Sequence, residues 1–391
     1  MRKATAALTG LLLAGVAATP AHAASIRSQQ WHLDAMKADD IWKRSTGKGV
    51  IVAVIDSGFK VLPELEGQFV PGKSFAASLE GDEFGGSGGH GTTMAAIIAG
   101  TGKHPTGDGA YGLAPGAKIL PIRVSEDQPI TTPSWAAAIR YAADSNARII
   151  NLSLGTVSKP EGDRARAEAV KYALSKGKLV FAAVGNSGDT TNEVEYPGAT
   201  PGVVGVGAVG ADGEPTKESQ HGPQVDMAAP GIDIFSACGG ATGVCKSHGT
   251  SDASALASAS AALLWSAHPD WTNNQILRVL LNTAGGPVDG SERNDYVGYG
   301  VVRPRIALPT PGDPGPADVF PLPDLAAADA AATSPEPSGG GTASQSPVPQ
   351  AGEAQKAEEG SGLLPWLGIG LGACLLIGGA VTAVVVRRSN R

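Results

Sequence analysis

The sequence predicts an α/β protein built on a doubly wound parallel β-sheet with helices on both faces. Short, nearly continuous apolar runs rich in Val and Ile recur along the chain, at 49–55, 118–124, 147–152, 178–184 and 203–209. Such runs are typical of strands that are buried on both faces of a parallel sheet. Segments of helical composition, at 134–144 and 164–176, lie between several of the runs. This alternation implies right-handed crossovers between parallel strands, and therefore a doubly wound sheet.

Two further helices are predicted after the last of these strands. Residues 251–268 are rich in Ala and Leu, and the run stops at Pro269. The second helix starts with Thr272-Asn-Asn-Gln275, a capping-box pattern in which two side chains satisfy the first backbone N–H groups. Its apolar residues are Ile276, Leu277, Leu280 and Leu281.

The composition is that of a compact, loop-rich globular protein. Of its 391 residues, 42% are hydrophobic, 17% are charged and 54 are glycines. The part assigned to the folded domain, residues 45–308, is long enough for one large α/β domain. The formal net charge is −7, and no basic cluster of the usual phosphate-binding kind is present. Nucleic acid is therefore not an expected partner.

The N-terminus has the layout of a secretory signal peptide, which we place at residues 1–23. Met1-Arg2-Lys3 is positively charged, the apolar run after it is too short to span a membrane, and Ala21-His22-Ala23 matches an A-x-A cleavage site. The following residues, 24–44, form an N-terminal extension. This extension leaves no room for a large folding propeptide, so we expect it to wrap around the domain.

The C-terminus predicts a membrane anchor. Residues 362–386 contain no charged residue, and about 20 apolar residues are enough to cross the hydrocarbon core. The basic tail at 387–391 marks the cytoplasmic side, so we expect a single-pass type I cell-membrane protein with its folded domain outside. Residues 309–361 are dominated by Pro, Ala, Gly, Ser and acidic residues. This composition predicts a disordered linker.

The cysteines predict one local disulfide. Cys238 and Cys245 lie close together in a glycine-rich loop of a chain that we expect to be exported, where disulfides persist. Metal binding is not predicted, since no second pair of ligands stands at zinc spacing and no contiguous calcium loop is present. Cys374 lies in the predicted membrane span and is interpreted as a small apolar residue.

Asp56 and His90 are candidates for a proton-transfer pair. Asp56 ends the first apolar run, where α/β sheets commonly place functional groups, although a carboxylate there can also merely cap the next turn. His90 follows a glycine-rich stretch at the head of a predicted helix, from which it can face a cleft. An isolated histidine more often fills a surface or core position. Together the two residues suit a general base and the carboxylate that orients it.

Ser251 is the candidate nucleophile. It follows Gly249, which allows close approach, and it begins the long Ala-rich helix. The free N–H groups and the positive dipole end of a helix N-terminus suit a developing oxyanion. Asn186, in a Gly-Asn-Ser-Gly segment after a predicted strand, offers a second oxyanion donor through its amide; the alternative is an asparagine that only forms a turn. His248 shares the His-Gly-Thr pattern, but it lies on the loop leading to Ser251, so His90 is preferred as the base.

Four segments resemble the catalytic motifs of subtilisin-family serine proteases. In chain order they are Val-Ala-Val-Ile-Asp56-Ser-Gly, Gly-Gly-His90-Gly-Thr-Thr-Met-Ala, Ala-Ala-Val-Gly-Asn186-Ser-Gly and His-Gly-Thr-Ser251-Asp-Ala-Ser-Ala. The order Asp, His, Ser is that of subtilisin, and other serine-protease folds use other orders. The resemblance implies a subtilisin-like fold and a serine endopeptidase that forms an acyl-enzyme on Ser251. It also implies that Asn186 and the backbone N–H of Ser251 form the oxyanion hole.

The resemblance extends to substrate binding and cellular setting. Ser153-Leu154-Gly155 resembles the segment with which the family pairs an extended protein or peptide substrate, and no cofactor is implied. The signal peptide, the segment 31–42, the Pro-rich linker and the single C-terminal helix with a basic tail resemble the mycosins. These are serine proteases associated with type VII secretion in actinobacteria, so a type VII secretion complex is an expected partner.

Two positions near the nucleophile depart from the family pattern. Asp252 stands where the family has Met or another uncharged residue, and Ala255 stands in place of a proline. An acid in the first helical turn complements the helix dipole, but beside an oxyanion hole it also opposes developing negative charge. The sequence is therefore consistent with two functions. One is a membrane-anchored extracytoplasmic endopeptidase, and the other is a weakly active or inactive structural component of a membrane secretion complex.

Overall fold

The computed structural model describes residues 25–333 apart from five short gaps, at 77–81, 86–88, 125–131, 158–163 and 241–242. The predicted signal peptide, residues 334–361 of the predicted linker, the predicted membrane span at 362–386 and the basic tail lie outside the described residues. None of the helices within the described ranges has the length and apolarity needed to cross a membrane.

A parallel sheet forms the centre of the described chain. The strands are β1 (Ile51–Asp56), β2 (Lys73–Ser74), β3 (Lys118–Arg123), β4 (Ile149–Leu152), β5 (Thr156–Val157), β6 (Leu179–Ala183), β7 (Glu195–Tyr196), β8 (Val204–Val209), β9 (Met227–Pro230), β10 (Ile234–Ala237) and β11 (Val244–Ser247). The main sheet has the order β2-β3-β1-β4-β6-β8-β9, and its strand pairs are parallel. The predicted runs correspond to β1, β3, β4, β6 and β8, so the predicted sheet is confirmed.

Helices cover both faces of this sheet. They are α1 (Ile26–Gln29), α2 (Trp31–Ala35), α3 (Ala38–Ile41), α4 (Gly89–Ala99), α5 (Thr132–Asp144), α6 (Arg164–Ser175), α7 (Thr250–Ala267), α8 (Asn273–Asn282), α9 (Pro304–Ala307) and α10 (Pro323–Thr333). Successive side chains of a strand point to opposite faces. In β1, Val52 and Val54 accordingly join the core under α4, α7 and α8, whereas Ala53 and Ile55 join the core under α5 and α6.

The strand order brings the carboxyl ends of β1 and β4 together. β3 and β4 pair with opposite edges of β1, so the chain order reverses direction at this point of the sheet. Crevices that bind ligands form at such switch points, beyond the carboxyl ends of the strands. Because Ile55 is in register with Leu152, Asp56 and Ser153 lie at the same edge of the sheet.

α7 and α8 agree with the sequence prediction. α7 is buried along most of its length, as its Ala- and Leu-rich composition requires for a helix packed directly on the sheet. At the start of α8, the Thr272 hydroxyl accepts the Gln275 N–H, and the Gln275 side chain accepts the Thr272 N–H. This reciprocal pair is the predicted capping box.

The N-terminal residues 25–44 pack against the domain through side chains that bond to its backbone. The buried amide of Gln30 donates to the carbonyl oxygens of Tyr111 and Phe235, at 2.7 and 3.0 Å. The indole N–H of Trp42 donates to the Leu113 carbonyl at 2.8 Å. These contacts join the extension to two separate parts of the domain.

The predicted disordered linker is wrong for its first part, because residues 309–333 are ordered on the domain. Arg278 of α8 donates to the carbonyl oxygens of Pro314 and Pro316, each at 2.9 Å. The Gly202 N–H donates to Asp324 at 2.8 Å, and Leu322 is buried. The composition argument fails here because backbone carbonyls, rather than apolar side chains, make most of these contacts.

A disulfide joins Cys238 and Cys245. The two residues bracket the turn of the β10–β11 hairpin, in which Ser236 is in register with Cys245. The hairpin leads directly into α7, since β11 ends at Ser247 and α7 begins at Thr250. The disulfide therefore fixes the segment that precedes the candidate nucleophile.

Candidate active site

Asp56 and His90 form a hydrogen-bonded pair. His90 Nδ1 lies 2.8 Å from Asp56 Oδ1, which also accepts the Ser57 N–H at 2.7 Å. Asp56 is fully buried, whereas the side chain of His90 is 41% exposed. Because an ionised carboxylate only accepts hydrogen bonds, Nδ1 carries the proton and Nε2 is left as the acceptor nitrogen.

The glycine after His90 allows α4 to approach β1 closely. A Cβ atom at Gly91 would collide with the Gly58 carbonyl oxygen and would lie 3.0 Å from the Cβ of Asp56. A side chain here would thus push α4 away from the carboxylate. Thr92 then accepts the Lys60 N–H at 2.9 Å, which ties the first turn of α4 to the loop after β1.

The pKa of His90 is raised above its usual value. Burial alone would lower this pKa, but the charge of Asp56, the hydrogen bond to Asp56 and the charge of Asp252 together outweigh burial. These carboxylates therefore stabilise the protonated imidazole, as a general base requires once it has taken a proton.

Ser251 lies in the first turn of α7 and is joined to the end of β4. Its hydroxyl donates to the Ser153 carbonyl oxygen at 2.8 Å, and the Ser153 hydroxyl donates to the Ser251 carbonyl oxygen at 2.9 Å. Among the described residues, no hydrogen bond links Ser251 to His90. The Ser251 hydroxyl must therefore turn away from Ser153 to meet Nε2 of His90.

A buried polar network beneath Ser153 was not predicted from the sequence. Asn151, in β4, is fully buried, and its Nδ2 donates to the Ser153 hydroxyl at 2.9 Å. Its Oδ1 accepts the hydroxyls of Ser254 and Ser258 at 2.9 and 3.0 Å. Because buried polar atoms need partners, this network fixes the position of α7 against β4. The only sequence signal is a single Asn inside an apolar strand, opposite serines spaced four residues apart.

Asn186 lies next to the N-terminus of α7. Its Oδ1 accepts the N–H and the hydroxyl of Thr250, at 2.8 and 3.0 Å, and the Thr250 hydroxyl accepts the Gly185 N–H at 3.2 Å. These bonds orient the amide so that Nδ2 is left to donate elsewhere. A Cβ at Gly249 would lie only 3.0 Å from this Nδ2, and Gly249 has a φ of +123°. The glycine is thus required both by its conformation and by the close approach of the amide.

Asp252 is buried beside the candidate nucleophile. Its Oδ2 accepts the Ser247 hydroxyl at 2.7 Å. Burial raises the pKa of Asp252 to about 6, although the hydrogen bond from Ser247 and the nearby charges of His90 and His248 act in the opposite direction. Burial therefore dominates the energetics of this carboxyl group, rather than the favourable helix dipole that an acid in a first turn usually provides.

His248 has a partner of its own. Its Nδ1 lies 2.8 and 2.9 Å from the two carboxylate oxygens of Glu218, and its side chain is 67% exposed. The hydrogen bond and the charge of Glu218 raise the pKa of His248. His90, and not His248, is therefore the histidine that Asp56 contacts.

The segment after β4 presents an open backbone edge. Ser153 is buried, Leu154 is half-buried and Gly155 is exposed. Among the described residues, none of the backbone hydrogen bonds uses the N–H or C=O groups of Leu154 and Gly155. These groups can therefore pair with an added strand.

The described ranges contain no group of three or more His, Cys, Asp or Glu side chains arranged to hold a metal ion. The histidine–carboxylate contacts of the site, His90 with Asp56 and His248 with Glu218, are pairs. Each of these histidines is committed to one carboxylate by a hydrogen bond, which is the arrangement of a proton-transfer group or an ion pair.

The model of the subtilase family (Peptidase_S8) matches residues 47–300, the range that contains Asp56, His90, Asn186 and Ser251. The chain belongs to the subtilase family. The resemblance predicted from the four motifs is thereby confirmed, and this subtilase is a subtilisin-type serine endopeptidase.

Relatives of this subtilase include mycosins. It is 33% identical over 339 residues to Mycosin-1 of Mycobacterium tuberculosis, covering 73% of this chain and 74% of the relative. The crystal structure of MycP1 from Mycobacterium smegmatis matches with a TM-score of 0.66 and 30% identity, over 77% of this chain and 89% of that one. The periplasmic assembly from the ESX-5 inner membrane complex contains a chain that matches with a TM-score of 0.64 and 27% identity, over 75% and 87%. The subtilase is therefore of the mycosin type.

Proposed function

We propose that this subtilase cleaves peptide bonds through an acyl-enzyme on Ser251, with His90 as general base and Asp56 as the carboxylate that orients it. The observation that carries this proposal is the 2.8 Å contact between His90 Nδ1 and buried Asp56. It holds the imidazole in one tautomer, with Nε2 available to a serine at the start of α7. A fully buried carboxylate hydrogen-bonded to a half-exposed histidine is the arrangement of a general base and the residue that orients it.

The reaction begins when the Ser251 hydroxyl turns from the Ser153 carbonyl to Nε2 of His90. As Oγ attacks the scissile carbonyl carbon, its proton passes to Nε2, and Asp56 stabilises the resulting imidazolium. The C–N bond then breaks as His90 returns the proton to the leaving amine. Water, activated by the same nitrogen, hydrolyses the acyl-enzyme and restores Ser251.

The oxyanion that forms during attack is held by two donors. One is the backbone N–H of Ser251, in the first turn of α7, where backbone N–H groups have no partner within the helix. The other is Nδ2 of Asn186, which the bonds from Thr250 to Oδ1 leave free to donate. The substrate backbone pairs with the open edge at Leu154 and Gly155.

The enzyme works outside the cytoplasmic membrane, anchored by the predicted span at 362–386, and associates with a type VII secretion complex. The similarity to MycP1 from the ESX-1 type VII secretion system and to a chain of the ESX-5 periplasmic assembly supports this setting. The signal-peptide pattern and the basic tail support the type I orientation. Protease added to intact protoplasts should release the ectodomain, and an ectodomain that stays protected would refute the orientation.

An active-site probe tests the catalytic proposal. Purified protein is treated with a fluorophosphonate, which forms a covalent bond with an activated serine. We expect wild type to be labelled, Ser251→Ala to lose labelling, and the control Ser266→Ala, on the same helix, to keep it. Wild-type protein that is folded but not labelled would refute the proposal.

A second function is favoured by one observation, the buried Asp252 beside the nucleophile. Negative charge there opposes an oxyanion, as expected if the fold serves mainly as a structural component of a secretion complex. The two functions are separated by complementation of a deletion strain. If the Ser251→Ala protein, expressed at the wild-type level, restores secretion fully, the structural role suffices; if secretion fails, catalysis is required.

A further inference from the structure

The side chain of Glu195 reaches into the space beside the candidate active site. Glu195 belongs to β7, which pairs with β5 directly after the open edge. Its Oε2 lies 2.6 Å from the point where a Cβ at Gly155 would stand, and its Oε1 lies 2.7 Å from the corresponding point at Gly185. The carboxylate therefore sits between the edge segment and the segment that leads into Asn186, against glycines that leave room for it.

This space is where the substrate residue before the scissile bond, the P1 residue, must place its side chain. The oxyanion donors at Asn186 and Ser251 hold the carbonyl oxygen of P1, while Leu154 and Gly155 pair with the substrate backbone on the same side. A P1 side chain then projects between these two segments. This placement rests on the proposed function, because it takes Ser251 as the nucleophile.

The carboxylate of Glu195 has no cationic partner in the described part of the chain. It accepts one hydrogen bond, from Nε2 of Gln220 at 2.9 Å, and the same Nε2 donates to the Ser187 hydroxyl at 2.8 Å. No salt bridge formed by the described residues includes Glu195. The side chain is half-buried, and burial raises its pKa, although the Gln220 hydrogen bond acts in the opposite direction. An ionised group in such a place is stabilised by a cation that arrives from outside.

We propose that Glu195 is a specificity-determining residue and that it selects a lysine or arginine side chain at P1. The cationic P1 side chain is the charge partner that Glu195 lacks among the described residues. Its hydrogen bond to the carboxylate joins a charged donor to a charged acceptor. Gln220 holds the carboxylate in place through one oxygen, which leaves Oε2 to receive the substrate. A neutral P1 residue of similar length leaves Glu195 without a counter-charge.

The test uses the purified full-length protein and a peptide library with randomised residues on both sides of the scissile bond. Cleavage sites are read by mass spectrometry, so that the ratio of cleavage after Lys to cleavage after Gln gives a ratio of kcat/KM values. We expect a ratio of about 10 to 100 in wild type, the range for losing a hydrogen bond to a charged group. In Glu195→Gln, which keeps the volume and an acceptor for Gln220, the ratio should fall to about 1.

The control is Glu193→Gln, which removes the same charge from an exposed position two residues earlier and should leave the ratio unchanged. Fluorophosphonate labelling of Ser251 is measured for each variant. A labelled enzyme that cleaves after small residues, with the same ratio in wild type and Glu195→Gln, overturns the inference and leaves the proposed function standing. A folded wild type that neither labels nor cleaves overturns the proposed function, and this inference with it.

Discussion

The buried carboxyl group of Asp252 should lower the stability of the folded protein at neutral pH. Burial raises its pKa from 3.8 to about 6, and each tenfold change in proton affinity corresponds to about 1.36 kcal/mol. Ionising Asp252 therefore costs about 3 kcal/mol more free energy in the folded chain than in the unfolded chain. Between about pH 4 and pH 6 the folded protein binds this proton and the unfolded chain does not, so stability falls as pH rises through that window.

Replacing Asp252 with asparagine removes this cost while keeping an oxygen that accepts the Ser247 hydroxyl. We expect Asp252→Asn to be more stable than its parent by about 3 kcal/mol at pH 8 and by nearly nothing at pH 4. For a domain of this size, the gain corresponds to a rise in Tm of roughly 5 °C. Thermal unfolding is followed by circular dichroism at both pH values, in a Ser251→Ala background that prevents self-digestion.

The control for this experiment is Glu66→Gln, which removes a carboxylate from an exposed position. It should change stability little at either pH, since surface substitutions are usually within about 0.5 kcal/mol. A gain in Asp252→Asn that is equal at pH 4 and pH 8 would show that packing, not ionisation, is responsible. No gain at pH 8 would refute the claim that burial of the charge is costly.

Three further predictions concern catalysis and the hairpin before α7. The charge of Asp252 raises the pKa of His90, so Asp252→Asn should move the acid limb of the kcat/KM profile to lower pH; an unmoved limb between pH 5 and 8 would contradict the coupling. Asn186→Ala should lower kcat about 100- to 1,000-fold with little change in KM, because the amide is needed only as the oxyanion forms. Steady-state kinetics on a cleaved library peptide measure both constants, and a rise in KM with unchanged kcat would assign Asn186 to substrate binding instead. The double replacement of Cys238 and Cys245 by serine should lower stability by about 2 kcal/mol, since the disulfide closes a loop with a sequence separation of 7 residues. Denaturant unfolding with and without a reductant measures this loss. Equal unfolding midpoints for wild type under both conditions would contradict the prediction.

The sequence predicts those elements whose residue pattern alone, without knowledge of their tertiary partners, indicates a strand or a helix. β1, β3, β4, β6 and β8 are continuous apolar runs because both of their faces are buried, and this pattern survives without knowledge of neighbours. β2 and β9 are short edge strands whose pairing depends on β3 and β8. The ordered residues 309–333 were missed for a related reason, since their backbone carbonyls bond to Arg278, whose role is invisible in the composition of the segment itself.

The same distinction applies to the candidate site. Asp56, His90 and Ser251 stand in local motifs, because a strand end, a glycine before close approach and a helix start all leave marks in neighbouring residues. Asn151 leaves only a lone polar residue within an apolar strand, and Glu195 leaves no mark, since each acts on a segment distant in the chain. Asn151 meets serines about a hundred residues away, and Glu195 meets Gly155 only because β7 pairs with β5.

Asp252 and Glu195 place two carboxylates near one nucleophile, but their charges act on different parts of the reaction. In the proposed mechanism, Asp252 stabilises the His90 imidazolium and its charge opposes the oxyanion. Its net effect on kcat/KM is therefore the difference between these two interactions, which are the same for every substrate. Glu195 contributes only when the P1 side chain is charged. Asp252→Asn should therefore change kcat/KM by one common factor across the library, whereas Glu195→Gln should change only the ratio between cationic and neutral P1 residues. Because the two effects belong to separate interactions, the double variant should show their product. If Asp252→Asn changes the ratio of cleavage after Lys to cleavage after Gln, the charge of Asp252 also acts on the P1 side chain. The two carboxylates would then be electrostatically coupled, which would contradict their separate roles.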